Sequence, residues 1–278
     1  MTLATLPVRV ELDGHELGID AANPVSLALE LDFAGAQPRH FGAPPASARP
    51  FEVGGFKGSV ARGASCNCEV LTLIPHCNGT HTECVGHLTR ERLDVSRIAP
   101  YGFVPALLVS LTPQPAAAAG ESSSPAPEAG DLLITRRALE LAWPVALPFE
   151  ARALIIRTRL DGDRETPPYL SQEAAKLLVE RGIRHLVVEV PSIDRAHDEG
   201  RLTAHRIFFG LPPGSSELAR ATRANSTVTE LAAIPEGLRD GPYLLELQLP
   251  ALTGDAVPSR PLLYALLSRA GPEARLGS

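Results

Sequence analysis

Alternating and continuous runs of apolar residues along the chain predict a succession of β-strands. Residues 7–12 alternate between polar and apolar side chains, and Gly14 directly after them predicts a turn. Six further runs predict strands, and the run at 153–158 is apolar enough to be typical of a buried strand. These six runs lie at 66–74, 104–111, 131–135, 153–158, 185–190 and 244–249.

A helix is predicted between two of these strands, at residues 171–182. Apolar positions recur there at helical spacing, Ser171 can cap the first turn, and Gly182 ends the helix. The order of strand 153–158, this helix and strand 185–190 indicates a crossover unit, which joins neighbouring strands of a parallel or mixed sheet. The pattern therefore predicts an α/β protein.

Residues 34–63 are rich in Gly, Pro and Ala and predict a long ordered loop or lid. Four of the eight Phe residues lie along or beside it, at Phe33, Phe41, Phe51 and Phe56. Two interpretations remain open: these rings wall a substrate pocket, or they anchor the loop onto the core.

Residues 113–130, PQPAAAAGESSSPAPEAG, form a low-complexity insertion in what is otherwise expected to be one domain over 1–278. The insertion lacks the bulky apolar side chains that offset the entropy lost on ordering. It is predicted to be a flexible surface loop.

Composition and charge exclude several classes of function. The 278 residues are 44% hydrophobic and 21% charged, as in an ordinary globular protein, and the net charge of −6 with no Lys/Arg run speaks against nucleic-acid binding. The N-terminus does not resemble a secretory signal, and no apolar stretch reaches the ~20 residues of a membrane span. We expect a cytoplasmic protein without a membrane partner.

All four cysteines lie within one short stretch, at Cys66, Cys68, Cys77 and Cys84. A disulfide framework would be spread more widely and would suit a smaller secreted protein, so reduced thiols are predicted. Cys66 and Cys68 would share one face of a strand. Packing is the favoured interpretation for this pair, because the usual metal knuckle separates its cysteines by two residues.

The segment 76–87, H-C-N-G-T-H-T-E-C-V-G-H, holds three of the eight histidines. In an extended chain His81 and Glu83 point to the same side, and His87 shares their parity unless the chain bends. Imidazole together with carboxylate suits zinc or manganese. The alternative is that these histidines are separate, hydrogen-bonded residues, but their clustering with an acid favours a metal site.

A further ligand could precede this pair. Asn78-Gly79 indicates a turn or a one-residue bulge, which would bring His76 onto the face of His81 and Glu83. Without the bulge Cys77 takes that place, and a thiolate would favour zinc.

A second group of candidate ligands lies downstream. Residues 192–206 contain His197 and His205, and Glu230 follows in N-S-T-V-T-E-L. Each is unremarkable alone, as a core histidine or a helix-start carboxylate. Together they could supply what the first segment lacks, since hydrolytic metal sites use about three protein ligands and an open position.

The stretch G-T-H-T-E-C-V-G-H at residues 79–87 resembles the signature G-T-H-x-D-x-P-x-H of the cyclase-type metal-dependent hydrolases, which include bacterial kynurenine formamidase and isatin hydrolase. The resemblance spans roughly residues 25–265. Supporting segments occur in the family's order at 29–33 (expected to be its N-terminal strand), 130–135, 154–158, 167–171, 188–194, 204–207 and 229–231.

This resemblance implies an α/β fold with a central mixed, barrel-like sheet flanked by helices, usually in a homodimer. It implies one or two divalent ions, zinc or manganese, and a small-molecule substrate. His87 would be the catalytic acid/base. The implied metal ligands are His81, Glu83, His205 and Glu230, with His76 preferred to Cys77 by the bulge argument.

The resemblance further implies hydrolysis of an amide, formamide, cyclic amide or lactone through a metal-activated water, as in the arylformamidase of tryptophan catabolism. Glu83 replaces the family's Asp, Val85 its Pro and Cys77 its first His, which marks a divergent branch. The alternatives are a metal-dependent lyase or cyclase and a non-catalytic ligand-binding member. No G-x-S-x-G or nucleotide-binding signature is found in the sequence.

Overall fold

The structure, a computed structural model, describes residues 6–160 and 166–267. The described residues form sixteen strands and five short α-helices. The strands are β1 Pro7–Leu12, β2 His15–Asp20, β3 Val25–Ser26, β4 Ser47–Pro50, β5 Glu69–Thr72, β6 His81–Glu83, β7 Val104–Leu111, β8 Gln114–Pro115, β9 Leu132–Ile134, β10 Ala153–Thr158, β11 Tyr169–Leu170, β12 His185–Val188, β13 Thr227–Glu230, β14 Gly241–Gln248, β15 Ala256–Pro258 and β16 Arg260–Leu267. The helices are α1 Pro75–Asn78, α2 Ala116–Ala119, α3 Arg136–Ala142, α4 Gln172–Glu180 and α5 Thr203–Phe209.

Eleven of the strands form one mixed sheet, in the order β1-β2-β16-β14-β7-β10-β12-β13-β6-β15, with β3 beside β16. The four central strands β7, β10, β12 and β13 are parallel to one another, and the remaining pairs are antiparallel. Helix α4 connects β10 to β12, which is the predicted crossover. The predicted α/β fold with a central mixed sheet is confirmed.

The central strands are apolar at nearly every position because both of their faces are covered. Along β10, Leu154 and Ile156 pack on the side of α4 and α5, against Leu177 and Leu178. The alternate residue Ile155 packs in a second cluster on the opposite face. In the described part of the chain no helix is both long and apolar enough to cross a bilayer.

Local signals placed several elements correctly. In the β1–β2 hairpin the turn residues Asp13 and Gly14 both have positive φ, at 49° and 77°. The Ser171 hydroxyl accepts a 2.9 Å hydrogen bond from the Ala174 N–H and caps α4, and Gly182 follows the helix with φ of 73°. These three features confirm the predicted turn, cap and helix end.

The strand predicted at 66–74 is shorter, since β5 covers only Glu69–Thr72. It pairs with β4 alone, in a two-stranded arm outside the main sheet. Cys66 and Cys68 precede it and are exposed as free thiols. The packing interpretation of this pair is therefore wrong, because the arm offers no buried face for a C-x-C pair.

Two other segments differ from expectation. Residues 29–33 form no strand; the neighbouring Ala28 makes a single bridge to Ala232. The predicted long loop 34–63 contains β4, and its Phe41 and Phe51 are 53% and 40% exposed. Exposure of these two rings does not fit anchoring to the core.

The insertion 113–130 is tied to its surroundings by polar contacts. It contains β8 and α2, and the Glu121 carboxylate accepts hydrogen bonds from the backbone N–H groups of Arg136 and Arg137 at 2.8 and 3.1 Å. These N–H groups belong to the first turn of α3 and have no partner within the helix. A prediction based on missing apolar side chains did not include this capping contact.

The buried His185 on β12 gives a testable pH dependence. Burial lowers the pKa of His185 to about 4 from 6.5. Below pH 6.5 His185 is protonated in the unfolded chain but stays neutral in the folded chain. The free energy of unfolding therefore decreases as the pH is lowered from 6.5 to about 4. Between neutral pH and about pH 5, wild type should lose about 2 kcal/mol more than His185→Gln, measured by urea unfolding. Equal losses in the two proteins would contradict this.

Candidate metal centre

Sheet register brings His81, Glu83 and Glu230 together. Strand β6 lies between β13 and β15, and His81 is directly opposite Glu230 on β13. Residues directly opposite in antiparallel strands project to the same face, and His81 Nε2 lies 3.5 Å from Glu230 Oε2. Thr82, which lies between His81 and Glu83 in the strand, projects to the opposite face. Its hydroxyl forms a 2.7 Å hydrogen bond with the Thr229 hydroxyl there. His81 and Glu83 were predicted to point to the same side of an extended chain, and the face with Glu230 is that side.

Helix α5 brings His205 to the same place. His205 Nε2 lies 2.6 Å from Glu83 Oε1 and 3.5 Å from Glu230 Oε1. On the other side of the ring, Nδ1 donates to Asp194 Oδ2 at 2.7 Å. Asp194 also accepts from the backbone N–H groups of Ala204 and His205, so it is held against the first turn of the helix.

His76 reaches the site through a helical turn rather than the predicted bulge. Pro75 occupies the first position of the one-turn helix α1, and Gly79 after it is fully extended with φ of 176°. His76 Nδ1 lies 3.0 Å from Glu83 Oε2. Cys77, one residue on in the same turn, is buried and belongs to none of the potential metal clusters among the described residues.

The three histidines share one arrangement: each has one ring nitrogen held by an outer acceptor and the other turned inward. The acceptors are Gly79 O for His81 Nδ1 at 3.0 Å, Asp194 for His205 Nδ1, and Asp255 Oδ2 for His76 Nε2 at 3.0 Å. Such outer contacts fix the tautomer of metal-binding histidines and leave the inner lone pair free.

Three of the atoms that face the centre lack hydrogen-bond partners. Among the described residues His81 Nε2, Glu83 Oε1 and His205 Nε2 are buried without one, although the last two approach each other closely. Buried polar atoms rarely stay unpaired, and atoms that converge without forming hydrogen bonds are what an ion between them requires. The donor set therefore fits a divalent cation.

The charges lead to the same conclusion. Burial opposes ionisation of Glu83, but the adjacent His205 and His76 outweigh it and hold the pKa of Glu83 well below its usual range. Burial lowers the pKa of His205, but the charge of Glu83 and the contact with Asp194 raise it well above normal. For His76 the hydrogen bonds to Asp255 and Glu83 outweigh burial and raise the pKa to about 10. Two buried carboxylates thus require positive charge, which a bound cation supplies while leaving the imidazoles neutral.

His87 lies beside this group, on the 3-10 turn Val85–Leu88 that follows β6. Its ring centroid is 4.4 Å from that of His76 and 6.1 Å from that of His205. The chain therefore bends after β6, and His87 faces the site from the turn.

Asp255 is a site residue that sequence reasoning did not identify. It lies just before β15, and its Oδ2 is 3.0 Å from His76 Nε2 and 3.4 Å from His87 Nδ1. These contacts hold the pKa of Asp255 well below its usual range. Asp194 lies within the family segment 188–194, but that resemblance implies no role for it. No motif in the sequence points to Asp255, because it is 172 residues beyond Glu83. The pairing of β15 with β6 brings it to the site.

The sequence matches the Cyclase family model, described as "Putative cyclase", over residues 24–195. No curated protein matches the chain. Similar solved structures include a predicted metal-dependent hydrolase from Bacillus stearothermophilus, at 15% identity and TM-score 0.56, covering 87% of this chain and 98% of that one. Isatin hydrolase A from Labrenzia aggregata aligns at 18% identity and TM-score 0.58, covering 87% and 93%. The corresponding enzyme from Ralstonia solanacearum aligns at 17% identity and TM-score 0.51, covering 93% and 92%. At these identities the likeness concerns the fold.

Proposed function

Because the chain belongs to the Cyclase family, we propose that it is a metal-dependent hydrolase of amide, formamide, cyclic amide or lactone bonds. The observation that carries the proposal is the convergence of His81 Nε2, Glu83 Oε1 and His205 Nε2, buried and without hydrogen-bond partners in the described residues. Polar atoms buried in a purely structural cluster would be hydrogen-bonded, whereas these three converge without a hydrogen bond, although His205 Nε2 and Glu83 Oε1 lie 2.6 Å apart.

Five side chains would hold one or two divalent ions: His76, His81, Glu83, His205 and Glu230. A divalent ion bound there would act as a Lewis acid and lower the pKa of a bound water. The protein would surround the ion with side chains shielded from solvent, since His81, Glu83, His205 and Glu230 are each at most 3% exposed. Glu83 faces both His76 and His205 with different oxygens, which suits a bridge between two ions.

His87 is proposed as the acid/base. Its Nδ1 faces Asp255, so Nε2 is the nitrogen that can accept a proton from water and return it to the leaving group. The side chains of His76, His87 and Asp255 are 26%, 30% and 40% exposed, whereas the other site residues are buried. A substrate therefore approaches from the side of His76, His87 and Asp255.

The substrate class is supported by the family resemblance and by the similar isatin hydrolases, which are named for hydrolysis of isatin. Replacement of the family's Asp by Glu83 and of its first His by Cys77 argues for a substrate of its own. Zinc or manganese is proposed because imidazole and carboxylate ligands suit both.

The decisive experiment combines elemental analysis of the purified protein with a panel of aryl formamides, cyclic amides and lactones in isotopically labelled water. We expect bound zinc or manganese and labelled oxygen in the product. Turnover without label would favour the lyase or cyclase alternative. A protein that cannot be loaded with metal would favour a non-catalytic ligand-binding member.

A homodimer is proposed from the same resemblance. Apolar side chains exposed around the β4–β5 arm, among them Phe51, Val53 and Leu71, support it, since apolar patches commonly mark subunit contacts. Sedimentation equilibrium measures the state, and a monomer at all concentrations would overturn this proposal.

A further inference from the structure

The backbone around Asp255 is pinned to the elements that carry the site. In the β15–β6 pair Ala256 is opposite Glu83, which places Asp255 beside the end of β6. The carbonyl of Asp255 accepts a 3.0 Å hydrogen bond from the Cys84 N–H, and the preceding Gly254 carbonyl accepts one of 2.8 Å from Val95. Asp255 is therefore held in place by two backbone contacts and does not belong to a free loop.

Gly86, in the turn that carries His87, lies close to both Leu93 and Asp255. A Cβ on Gly86 would lie 2.5 Å from the Leu93 carbonyl oxygen and 3.2 Å from the Asp255 Cβ. The absence of a side chain at Gly86 avoids a collision with Leu93 and leaves the Asp255 side chain close against the turn that carries His87. The packing thus brings one carboxylate against two histidines.

One oxygen of Asp255 faces both histidines. Its Oδ2 lies 3.0 Å from His76 Nε2 and 3.4 Å from His87 Nδ1. His76 is thereby left with Nδ1 toward Glu83, and His87 with Nε2 toward the exposed side of the site. Asp194 makes the corresponding contact to His205 but reaches only that histidine among the three.

We propose that Asp255 is a positioning residue that fixes the tautomer of His76 as a metal ligand and at the same time orients His87 for proton transfer. The inference rests on the proposed function and assigns a task to a residue outside the expected ligand set. It makes metal binding and proton transfer depend on the same carboxylate, whereas Asp194 serves metal binding alone.

Asp255→Asn tests this, with Asp194→Asn as the matched comparison and Asp255→Ala as a second variant lacking any acceptor. Metal affinity is measured by titrating the apoprotein with zinc and with manganese. Outer carboxylates of this kind typically change metal affinity about 10- to 100-fold, and that loss is expected for all three variants at unchanged stoichiometry.

The second readout separates the two tasks. At saturating metal, Asp255→Asn should lower kcat by about 100-fold with KM within about threefold, while Asp194→Asn should regain most of its kcat. In a His87→Ala background Asp255→Asn should change kcat by less than about twofold, because residues acting as one unit lose their effects together.

Three results would overturn the proposal. Loss of one metal equivalent in Asp255→Asn would make Asp255 a ligand. An undiminished effect of Asp255→Asn on kcat in the His87→Ala background would remove the link to His87. Wild-type metal affinity in both Asp255 variants would remove the link to His76. The metal titration needs no substrate, so it tests whether Asp255 supports His76 as a ligand even if wild type hydrolyses nothing in the panel. Absence of hydrolysis by wild type would count against the proposed function and not against this role of Asp255.

Discussion

Replacing His87 with alanine is expected to lower kcat by about 10²- to 10⁴-fold while the metal content per protein stays at the wild-type value. His87 is outside the convergent set of inner atoms, and its ring faces the exposed side of the site. Removing it takes away the proton acceptor without removing a proposed ligand. Steady-state kinetics and elemental analysis on the same preparation measure both quantities.

His15→Ala is the matched control for this change. His15 is exposed on β2, near the opposite end of the sheet from β6, and its replacement should leave turnover unaltered. If His87→Ala retains turnover, the acid/base role is wrong. If it loses metal instead, His87 is a ligand, in the group that it forms with His76 and Asp255.

Glu83→Gln is expected to abolish stabilisation by metal. In wild type an ion at 100 times its Kd should add about 2.7 kcal/mol to the free energy of unfolding. Glu83 faces both His76 and His205, and an amide in its place removes a negative charge from between them. Replacing a residue that only hydrogen-bonds to a metal ligand already lowers metal affinity about 10- to 100-fold. Replacing the Glu83 carboxylate itself should therefore lower metal affinity by more than that.

Thermal unfolding with added zinc or manganese, and again with a chelator, measures this effect. Wild type should unfold at a lower temperature in chelator, and Glu83→Gln should unfold at the same temperature in both. Glu16→Gln, an exposed glutamate paired with Arg9 in the terminal hairpin, should behave as wild type. A metal-dependent shift of wild-type size in Glu83→Gln would remove Glu83 from the ligand set.

Local sequence signals were sufficient where the physics is local. The apolar runs of β7 and β10 have the bounds that were predicted, because strands covered on both faces must be apolar throughout. Ser171 and Gly182 marked the ends of α4 through contacts within a few residues. The parity of His81 and Glu83 follows from the geometry of any extended chain.

Signals were misleading where a segment's environment was decided elsewhere. The two-residue spacing of Cys66 and Cys68 would mean a shared buried face only if the strand joined the main sheet. The arm that forms instead leaves them exposed. The low-complexity composition of the insertion 113–130 gives no sign that Glu121 accepts hydrogen bonds from the first turn of α3, and the flexibility of this segment stays a prediction.

The sequence by itself determined the family and the α/β fold, and it located half of the candidate metal centre within residues 76–87. Only the tertiary structure decided how His76 arrives, through a helical turn, and which outer carboxylates, Asp194 and Asp255, hold the histidines. The reason is that parity and caps depend on neighbours along the chain. Contacts such as Asp255 with His76 depend on which strands pair, and pairing is settled by the packing of the whole sheet.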